Sequence, residues 1–179
     1  MKVVFDAPIL AFLIKPDTPP PLDPLTNEPV THCQARLQNL LTEFQRNQTV
    51  AIIPTPALAE VLVTAGNAAP AFMAEFNRPS ARYRIEPFDA LAAIELAEMT
   101  RIVLGAGDKR GGQEGTWAKV KFDRQIIAIA RVHGASTIYS DDKNLRAFAQ
   151  RCDLNVIGIA ELPLPPETSQ LTFDDIEDE

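Results

Sequence analysis

Residues 2–14 have the sequence KVVFDAPILAFLI, and this stretch decides the fold of the chain. The β-branched and aromatic run at 3–5 predicts a short buried strand that stops at Asp6. The apolar segment at 9–14 predicts a helix soon after that strand. A strand followed closely by a helix is the repeating unit of a parallel α/β protein.

The same alternation continues along the rest of the chain. Further strands are predicted at 50–53, 137–139 and 155–158, with a short extended piece at 83–85. Helices are predicted over 9–14, 32–47, 56–66, 89–104, about 123–134 and 142–152. This order predicts an α/β fold with three layers, in which helices cover both faces of a central, mainly parallel sheet.

Two segments within this pattern are predicted to be surface loops. Six prolines over 16–29 prevent regular structure there, and the glycines over 105–115 indicate a flexible loop. We expect residues 1–165 to form a single domain that carries both loops. Residues 166–179 are expected to form a flexible tail, because they end in a run of carboxylates that water solvates.

The composition is that of one folded domain. Of the 179 residues, 46% are hydrophobic and 23% are charged, which is enough to bury a core. No apolar run approaches the roughly 20 residues that span a bilayer, and Asp6 interrupts the N-terminal apolar stretch. Two cysteines cannot form a disulfide framework, so a cytoplasmic location is expected. Collagens, disulfide-rich secreted scaffolds and membrane-spanning proteins are excluded on these grounds.

The net charge of −7 comes largely from one end of the chain. Five carboxylates lie within residues 174–179, and the rest of the chain is nearly balanced. A broad basic surface for nucleic acid is therefore not predicted. The negative net charge nevertheless says little about the functional surface, because most of it lies at the end of the chain.

Aspartates follow two of the predicted strands, at the carboxyl ends where a parallel sheet gathers its chemistry. Asp6 directly follows the first strand, and Asp141 and Asp142 follow the strand at 137–139. Glu60 lies one turn into the helix after the second strand, and Asp123 begins the buried stripe of its own helix. Several acids in one place are costly unless a cation neutralises them, and oxygen ligands favour Mg²⁺ or Mn²⁺.

Each of these acids also has a purely structural interpretation. Asp123 and Asp142 could each serve only as the N-cap of a helix, as Thr55 is predicted to do for the helix at 56–66. Glu60 could be a partly exposed helix residue. Asp6 is harder to explain in this way, because it lies in an apolar segment and has no neighbouring cation in the sequence.

Four segments that carry these acids resemble, in order, the four acidic motifs of PIN-domain nucleases. They are VVFDAPIL at 3–10, IPTPALAEVL at 53–62, KFDRQIIAIA at 121–130 and IYSDDKNL at 138–145. The resemblance covers residues 2–160. This family includes the toxin ribonucleases of VapC-type toxin–antitoxin pairs, and its fold is a compact α/β/α sandwich around a parallel sheet.

The resemblance implies a ribonuclease that uses Mg²⁺ or Mn²⁺ to hydrolyse the phosphodiester bonds of single-stranded RNA. It assigns the metal-binding and catalytic roles to Asp6, Glu60, Asp123 and Asp142. Asp141 is the alternative fourth metal ligand, and Ser140 is a supporting hydrogen-bonding residue. The implied partners are the RNA substrate, a cognate antitoxin protein and a second copy of the chain in a homodimer, with no membrane.

Contact with RNA also needs basic residues near the acids. The candidates lie in and after the glycine-rich loop, namely Lys109, Arg110, Lys119, Lys121 and Arg124. Trp117 lies among them, and it could either stack on a base or anchor the loop to the core.

Other functions remain open at this stage. Pro8 stands where the family usually has Asn or Ser, which favours a catalytically weak module that binds RNA or protein as one alternative. A housekeeping RNA-processing nuclease is a second alternative. An aspartate-based phosphotransferase is disfavoured, since such enzymes need a second acid beside the strand-end aspartate, and Ala7 and Pro8 follow Asp6 here.

Overall fold

The computed structural model describes residues 1–166, except 16, 79–81, 106, 108–109 and 111–113. Lys109, the middle of the glycine-rich loop and the acidic tail from 167 onward therefore lie outside the described residues. The strands are β1 (Lys2–Phe5), β2 (Val50–Pro54), β3 (Tyr83–Glu86), β4 (Thr137–Tyr139) and β5 (Asn155–Ile157).

The five strands form one sheet in the order β3-β2-β1-β4-β5, and every neighbouring pair is parallel. In the central strand, Val4 pairs with Ile52 on one side and with Ile138 on the other. The α/β fold predicted from the sequence is confirmed, with a sheet that is wholly parallel.

Seven helices connect the strands within the described residues. They are α1 (Ala7–Ile14), α2 (Cys33–Arg46), α3 (Thr55–Ala65), α4 (Ala69–Phe76), α5 (Ala90–Gly105), α6 (Trp117–Val132) and α7 (Lys143–Gln150). The right-handed crossover rule places the connections from β1 to β3 on one face and those from β3 to β5 on the other. The packing agrees, since α1 contacts α3, and α6 contacts both α5 and α7.

The strand order creates a crevice beside the central strand. From β1 the chain builds the sheet outward through β2 and β3, and it then crosses to the other side of β1 to add β4 and β5. The connections after β1 and β4 thus diverge, and ligands of open α/β sheets bind at such a switch point. Asp6 follows β1 and Ser140 follows β4, so both lie at this crevice.

The start of α6 differs from the prediction. The helix begins at Trp117, almost two turns before Asp123, and the Thr116 side chain caps it by accepting a hydrogen bond from the Lys119 amide. Asp123 is therefore neither the start nor the N-cap of this helix, and those two predictions are wrong. The physical reason is that the apolar stripe extends further back, to the fully buried Val120.

The helix after β2 also begins differently. Pro54 is the N-cap of α3, and Thr55 is already its first residue, so the predicted N-cap role of Thr55 is wrong. The Thr55 hydroxyl instead accepts a hydrogen bond from the Phe88 amide at 3.2 Å. Helix α4 is absent from the prediction. It can form because Gly66 ends α3 and Pro70 occupies a position that is compatible with the start of a new helix.

One helical stretch of the described chain, Thr55–Phe76, is long and apolar enough to cross a membrane when judged by length and composition alone. A single stretch of this kind is weak evidence for a membrane span. The 3₁₀ turn Gly66–Ala68 interrupts it, and its first part, α3, packs against α1.

Three aromatic rings pack α2 against the end of the central sheet. Phe5 of β1 and Tyr139 of β4 lie with their ring centroids 5.7 Å apart, and Phe44 of α2 lies 5.9 Å from Phe5 and 5.7 Å from Tyr139. All three are buried. The cluster lies directly beneath the crevice, since Phe5 and Tyr139 are the last residues of their strands.

Phe44→Ala should lower the free energy of unfolding by about 3 kcal/mol or more, because it leaves a cavity beside two strand ends. Urea unfolding followed by circular dichroism measures this change. Leu25→Ala is the control, since Leu25 is 94% exposed and its truncation should change the free energy by less than about 0.5 kcal/mol. Equal effects of the two substitutions would contradict the assignment of Phe44 to the core.

Candidate active site

The four acids of the motifs line a single cleft of about 290 Å³ at the switch point. Asp6 comes from the end of β1, Glu60 from α3, Asp123 from α6 and Asp142 from the start of α7. The other side chains that line the cleft are those of Pro8, Pro56, Lys119, Phe122 and Ile126. The structure thus brings together four acids that lie up to 136 positions apart in the sequence.

Asp6 is held rigidly at the end of the central strand and is only 5% exposed. Its Oδ1 accepts a hydrogen bond from the Ala7 amide at 2.7 Å, which caps α1. Its Oδ2 accepts a hydrogen bond from the Ser140 hydroxyl at 2.6 Å. Each carboxylate oxygen can accept a further bond, so this clamp fixes the orientation without closing Asp6 to a ligand.

Ser140 links the first acid to the fourth. Its hydroxyl donates to Asp6 and accepts a hydrogen bond from the Asp142 amide at 3.0 Å. The residue is completely buried, so the hydroxyl has a fixed position. Ser140 thus positions the carboxylate of Asp6 and the start of α7, and its supporting role in the site stays a prediction.

Asp142 has two roles at once. As the N-cap of α7, its Oδ1 accepts hydrogen bonds from the amides of Asn144 at 2.7 Å and Leu145 at 3.1 Å. Its Oδ2 forms an ion pair with the ammonium group of Lys119. The capping interpretation and the active-site interpretation of Asp142 are thus compatible.

Asp141 lies outside the cleft, and its prediction as a metal ligand beside the other acids is wrong. Its Oδ1 accepts a hydrogen bond from the Ile159 amide at 2.9 Å, and it lines a different cavity with Arg146 and Gly158. The physical reason is the extended backbone at this point, where successive side chains point to opposite sides.

Burial and mutual repulsion make two of the acids reluctant to ionise. Loss of solvent raises the pKa of Asp6 to about 6, despite the opposing hydrogen bonds from Ser140 and Ala7. Loss of solvent, followed by repulsion from Asp142, raises the pKa of Asp123 to about 7. The charge of Glu60 adds to both increases, which places this exposed side chain within electrostatic reach of the buried pair.

The pKa of Asp142 is shifted in the opposite direction. Burial alone would raise its pKa, but the hydrogen bonds from Lys119 and from the amides of the helix cap outweigh that effect and lower it. The same contact raises the pKa of Lys119. Asp142 and Lys119 are therefore an ionised pair at neutral pH, beside two carboxyls that titrate much closer to neutrality.

The basic residues that were predicted to contact RNA lie in different environments. Lys119 lines the cleft, whereas Lys121 is exposed and does not line it, because residues two apart on a helix face different directions. Arg110 is exposed, and the residues on either side of it lie outside the described residues.

Arg124 cannot contact a substrate, since it is 1% exposed, and its prediction as an RNA-binding residue is wrong. Its guanidinium carbon lies 4.4 Å from the ring centroid of Phe148 and 5.5 Å from that of Trp117. Such cation–π contacts favour burying a guanidinium group in an apolar environment. Trp117 accordingly packs on a core residue, which supports the anchoring interpretation over base stacking.

Lys119 was predicted as an RNA contact, but its position among the acids of the cleft was not predicted, although the sequence contains a signal for it. Lys119 precedes Asp123 by four residues, which is about one helical turn, so both side chains share a face of α6. This relationship becomes visible only once the helix is known to start at Trp117.

The cleft has the donor set that Mg²⁺ and Mn²⁺ prefer, namely carboxylate oxygens. Within the described chain, no three His, Cys, Asp or Glu side chains are already arranged around one point as a metal site. Burial, with smaller contributions from the neighbouring acids, raises the pKa of Asp6 and Asp123, and a divalent cation would favour their ionised forms. The residues present therefore fit a divalent cation.

Stability should depend on pH through these two groups. Their pKa values in the folded protein lie above the ordinary 3.8, so the native state keeps protons that the unfolded chain releases. In metal-free buffer the free energy of unfolding should fall as the pH rises from about 4 to about 7. Asp123→Asn should remove part of this fall and raise the free energy of unfolding at pH 7.5 by roughly 1–3 kcal/mol.

Urea titrations at several pH values measure this effect, with the exposed Asp153→Asn as the control. The control should keep the pH dependence of the wild type. An unchanged pH dependence in Asp123→Asn would contradict the proposed burial of an acid at this position.

No protein-family model matches the sequence, and no curated protein matches it. Solved structures match its fold. A chain in the crystal structure of VapBC2 from Rickettsia felis, bound to a DNA fragment from its promoter, gives a TM-score of 0.55 at 16% identity. The match covers 88% of the present chain and 98% of that chain.

Two further structures agree with this result. DNA-bound VapBC from Salmonella typhimurium gives a TM-score of 0.55 at 18% identity, over 89% of the present chain and 98% of the other. VapC20 from Mycobacterium tuberculosis, described as a toxin that cleaves the Sarcin-Ricin loop, gives 0.51 at 19% identity, over 81% and 93%. The chain therefore has the PIN-like fold of these VapBC and VapC structures, as the order of its four acidic motifs predicts.

Proposed function

We propose that the protein is a metal-dependent ribonuclease that hydrolyses phosphodiester bonds of single-stranded RNA, as the toxin of a VapC-type toxin–antitoxin pair. One observation carries this proposal: Asp6, Glu60, Asp123 and Asp142 line one cleft at the switch point of a PIN-like sheet. The fold similarity to VapBC and VapC structures supports it.

Mg²⁺ or Mn²⁺ would be held by Asp6, Glu60, Asp123 and Asp142. When bound, such an ion supplies a hydroxide-forming water and positive charge for the phosphate. The protein's own contribution is to fix the ligands, and the clamp of Ala7 and Ser140 on Asp6 does so most clearly. A ligand that is already oriented loses little conformational freedom when it binds.

The walls of the cleft suit a nucleic acid strand. Lys119 carries the positive charge that a phosphate requires, and Phe122 is 52% exposed beside Asp123. An exposed aromatic ring offers a surface on which an unpaired base can stack. Phe122 thus takes the role that the sequence left open for Trp117, and stacking of this kind favours single-stranded RNA.

Wild-type protein should cleave a mixed pool of single-stranded RNA in the presence of Mn²⁺, and excess EDTA should stop the reaction. Asp6→Asn should reduce the cleavage rate by about 100-fold or more, since it removes a ligand oxygen from the proposed metal site. Gel analysis of end-labelled RNA measures the rate. Asp153→Asn, which changes an exposed aspartate outside the cleft, should retain the wild-type rate.

Thermal unfolding with and without Mn²⁺ separates the remaining outcomes, because an ion held only by the native state raises the melting temperature. Folded wild-type protein that neither cleaves RNA nor responds to Mn²⁺ would contradict the proposal and favour the RNA- or protein-binding module. Cleavage that persists in Asp6→Asn would contradict the assignment of the site.

We also propose that α5 forms part of a protein interface. Leu91, Ile94 and Ile102 are 60%, 63% and 71% exposed, and their spacings of three and eight residues place them along one face of the helix. Exposed apolar patches of this kind mark interaction sites. The occupant we propose is a second copy of the chain. We propose a cognate antitoxin as a further partner, which the fold similarity to VapBC structures supports.

Light scattering after size-exclusion chromatography should give the wild type about twice the 19.7 kDa chain mass. Ile94→Lys should shift the mass toward that of the monomer, because it would bury a charge in the interface. Leu25→Lys, on an exposed residue of the proline-rich loop, should leave the dimer intact. A monomeric wild type, or a dimer that survives Ile94→Lys, would contradict this use of α5.

A further inference from the structure

A second cavity, which we name the α7 cavity, adjoins the acidic cleft across the start of α7 and has a volume of about 490 Å³. Asp142 lines the cleft, whereas its neighbours in the chain, Asp141 and Lys143, line the α7 cavity. Consecutive Cα atoms are only about 3.8 Å apart, so a strand that occupies the cleft can continue into the cavity. The opposite wall includes residues of the proline-rich loop and of the turn after β5, among them Leu22, Asp23, Leu25 and Glu161.

Backbone contacts within the proline-rich loop hold its part of the wall in place. Leu22 and Pro29 form an isolated antiparallel bridge, and the amide of Val30 donates to the carbonyl of Pro21 at 2.9 Å. Val30 itself is buried in the core, which fixes the end of the loop. The loop therefore presents Leu22 and Leu25, which are 55% and 94% exposed, from an ordered backbone.

The same wall offers a hydrogen-bond acceptor to a ligand. Asp23 Oδ1 accepts a hydrogen bond from the Leu25 amide at 2.8 Å, whereas Asp23 Oδ2 has no partner among the described residues. Arg146 and Glu161, which also line the cavity, form an ion pair with each other, with Nη1 and Oε1 3.2 Å apart. Their charges are thus compensated, and the free oxygen of Asp23 remains available to a donor.

Lys143 contributes a positive charge where the cavity meets the cleft. It is the first residue of α7, it is exposed, and no carboxylate within the described part of the chain pairs with its ammonium group. The acid that precedes it, Asp142, pairs with Lys119 instead. Lysines in such positions contact the phosphates of a nucleic acid strand.

These groups are the three that a nucleotide of single-stranded RNA requires. The ammonium group of Lys143 suits a phosphate, the side chains of Leu22 and Leu25 suit the face of a base, and the Asp23 carboxylate suits the donors on its edge. The volume also lies within the range of about 300–1,000 Å³ that small-ligand pockets have.

We propose that the α7 cavity binds the nucleotide next to the scissile phosphate and selects a base that carries an amino group. This inference rests on the proposed nuclease function. The amino group of cytosine can donate to Asp23 Oδ2, and those of adenine and guanine can do the same. Uracil has a carbonyl oxygen where cytosine has its amino group, so the carboxylate repels it. The cavity therefore disfavours uracil at this position of the RNA.

Binding of short RNA strands tests this inference without cleavage. Fluorescence anisotropy in excess EDTA compares labelled oligocytidylate with oligouridylate, which differ at the base edge that Asp23 would contact. The full chain should bind oligocytidylate about five-fold or more tightly than oligouridylate. In Mn²⁺, sequencing the ends of a cleaved RNA pool should show that uracil is depleted beside the cleavage site.

Two substitutions separate the contact to the base from the contact to the phosphate. Asp23→Asn keeps the oxygen that accepts from the Leu25 amide and places an N–H donor in the cavity, so the preference for oligocytidylate should disappear. Lys143→Met should weaken the binding of both RNAs equally and reduce the salt dependence of binding by about one phosphate contact. Asp153→Asn and Lys15→Met are the matched controls, because neither residue lines the cleft or the cavity.

The outcomes distinguish this inference from the function on which it rests. Equal affinity of the wild type for the two RNAs, or a preference that survives in Asp23→Asn, would overturn the base selection while RNA cleavage that depends on Asp6 keeps the nuclease. Circular dichroism establishes that each variant is folded. If Asp23→Asn does not fold, unchanged binding of both RNAs by Leu25→Asp would overturn the inference equally.

Two further results bear on the nuclease itself. Preferential binding by a wild type that cleaves no RNA would support the α7 cavity and overturn the nuclease function. A wild type that neither binds nor cleaves RNA would overturn both proposals.

Discussion

The structure of the cleft depends on one constraint, a carboxylate that is buried at the end of the central strand. Asp6 follows β1 directly, so the sheet that positions it also removes it from water. Hydrogen bonds from Ala7 and Ser140 offset only part of that cost, and the pKa stays raised. The other three acids of the cleft lie around this carboxylate, and the charges of Asp142 and Glu60 add to the shift.

The elements around Asp6 are held by apolar packing rather than by the polar site itself. Below the cleft, the rings of Phe5, Phe44 and Tyr139 join the two central strand ends to α2. To one side, the buried guanidinium group of Arg124 packs between Trp117 and Phe148, which ties α6 to α7. These two contacts fix where Asp123 and Asp142 stand relative to Asp6, and the acids themselves would repel one another.

The acids do not form one uniform cluster. Asp142 is committed to a helix cap and to Lys119, and its pKa is lowered, whereas Asp6 and Asp123 have raised pKa values. The extended backbone after β4 sends Asp142 into the cleft and Asp141 to the opposite side, and in the cleft Asp142 meets Lys119. The electrostatic asymmetry of the cleft thus comes from the contact with Lys119 of α6 and from the helix cap of α7, which lower the pKa of Asp142.

The sequence by itself determined the strands, most helices and the four acids of the cleft. These follow from local periodicity and from the order of motifs along the chain, which require no knowledge of distant contacts. The tertiary structure decided that Asp141 faces away, that Arg124 is buried and that Lys119 pairs with Asp142. The direction of a side chain and its partners depend on helix starts and on packing between distant segments, and local sequence encodes neither.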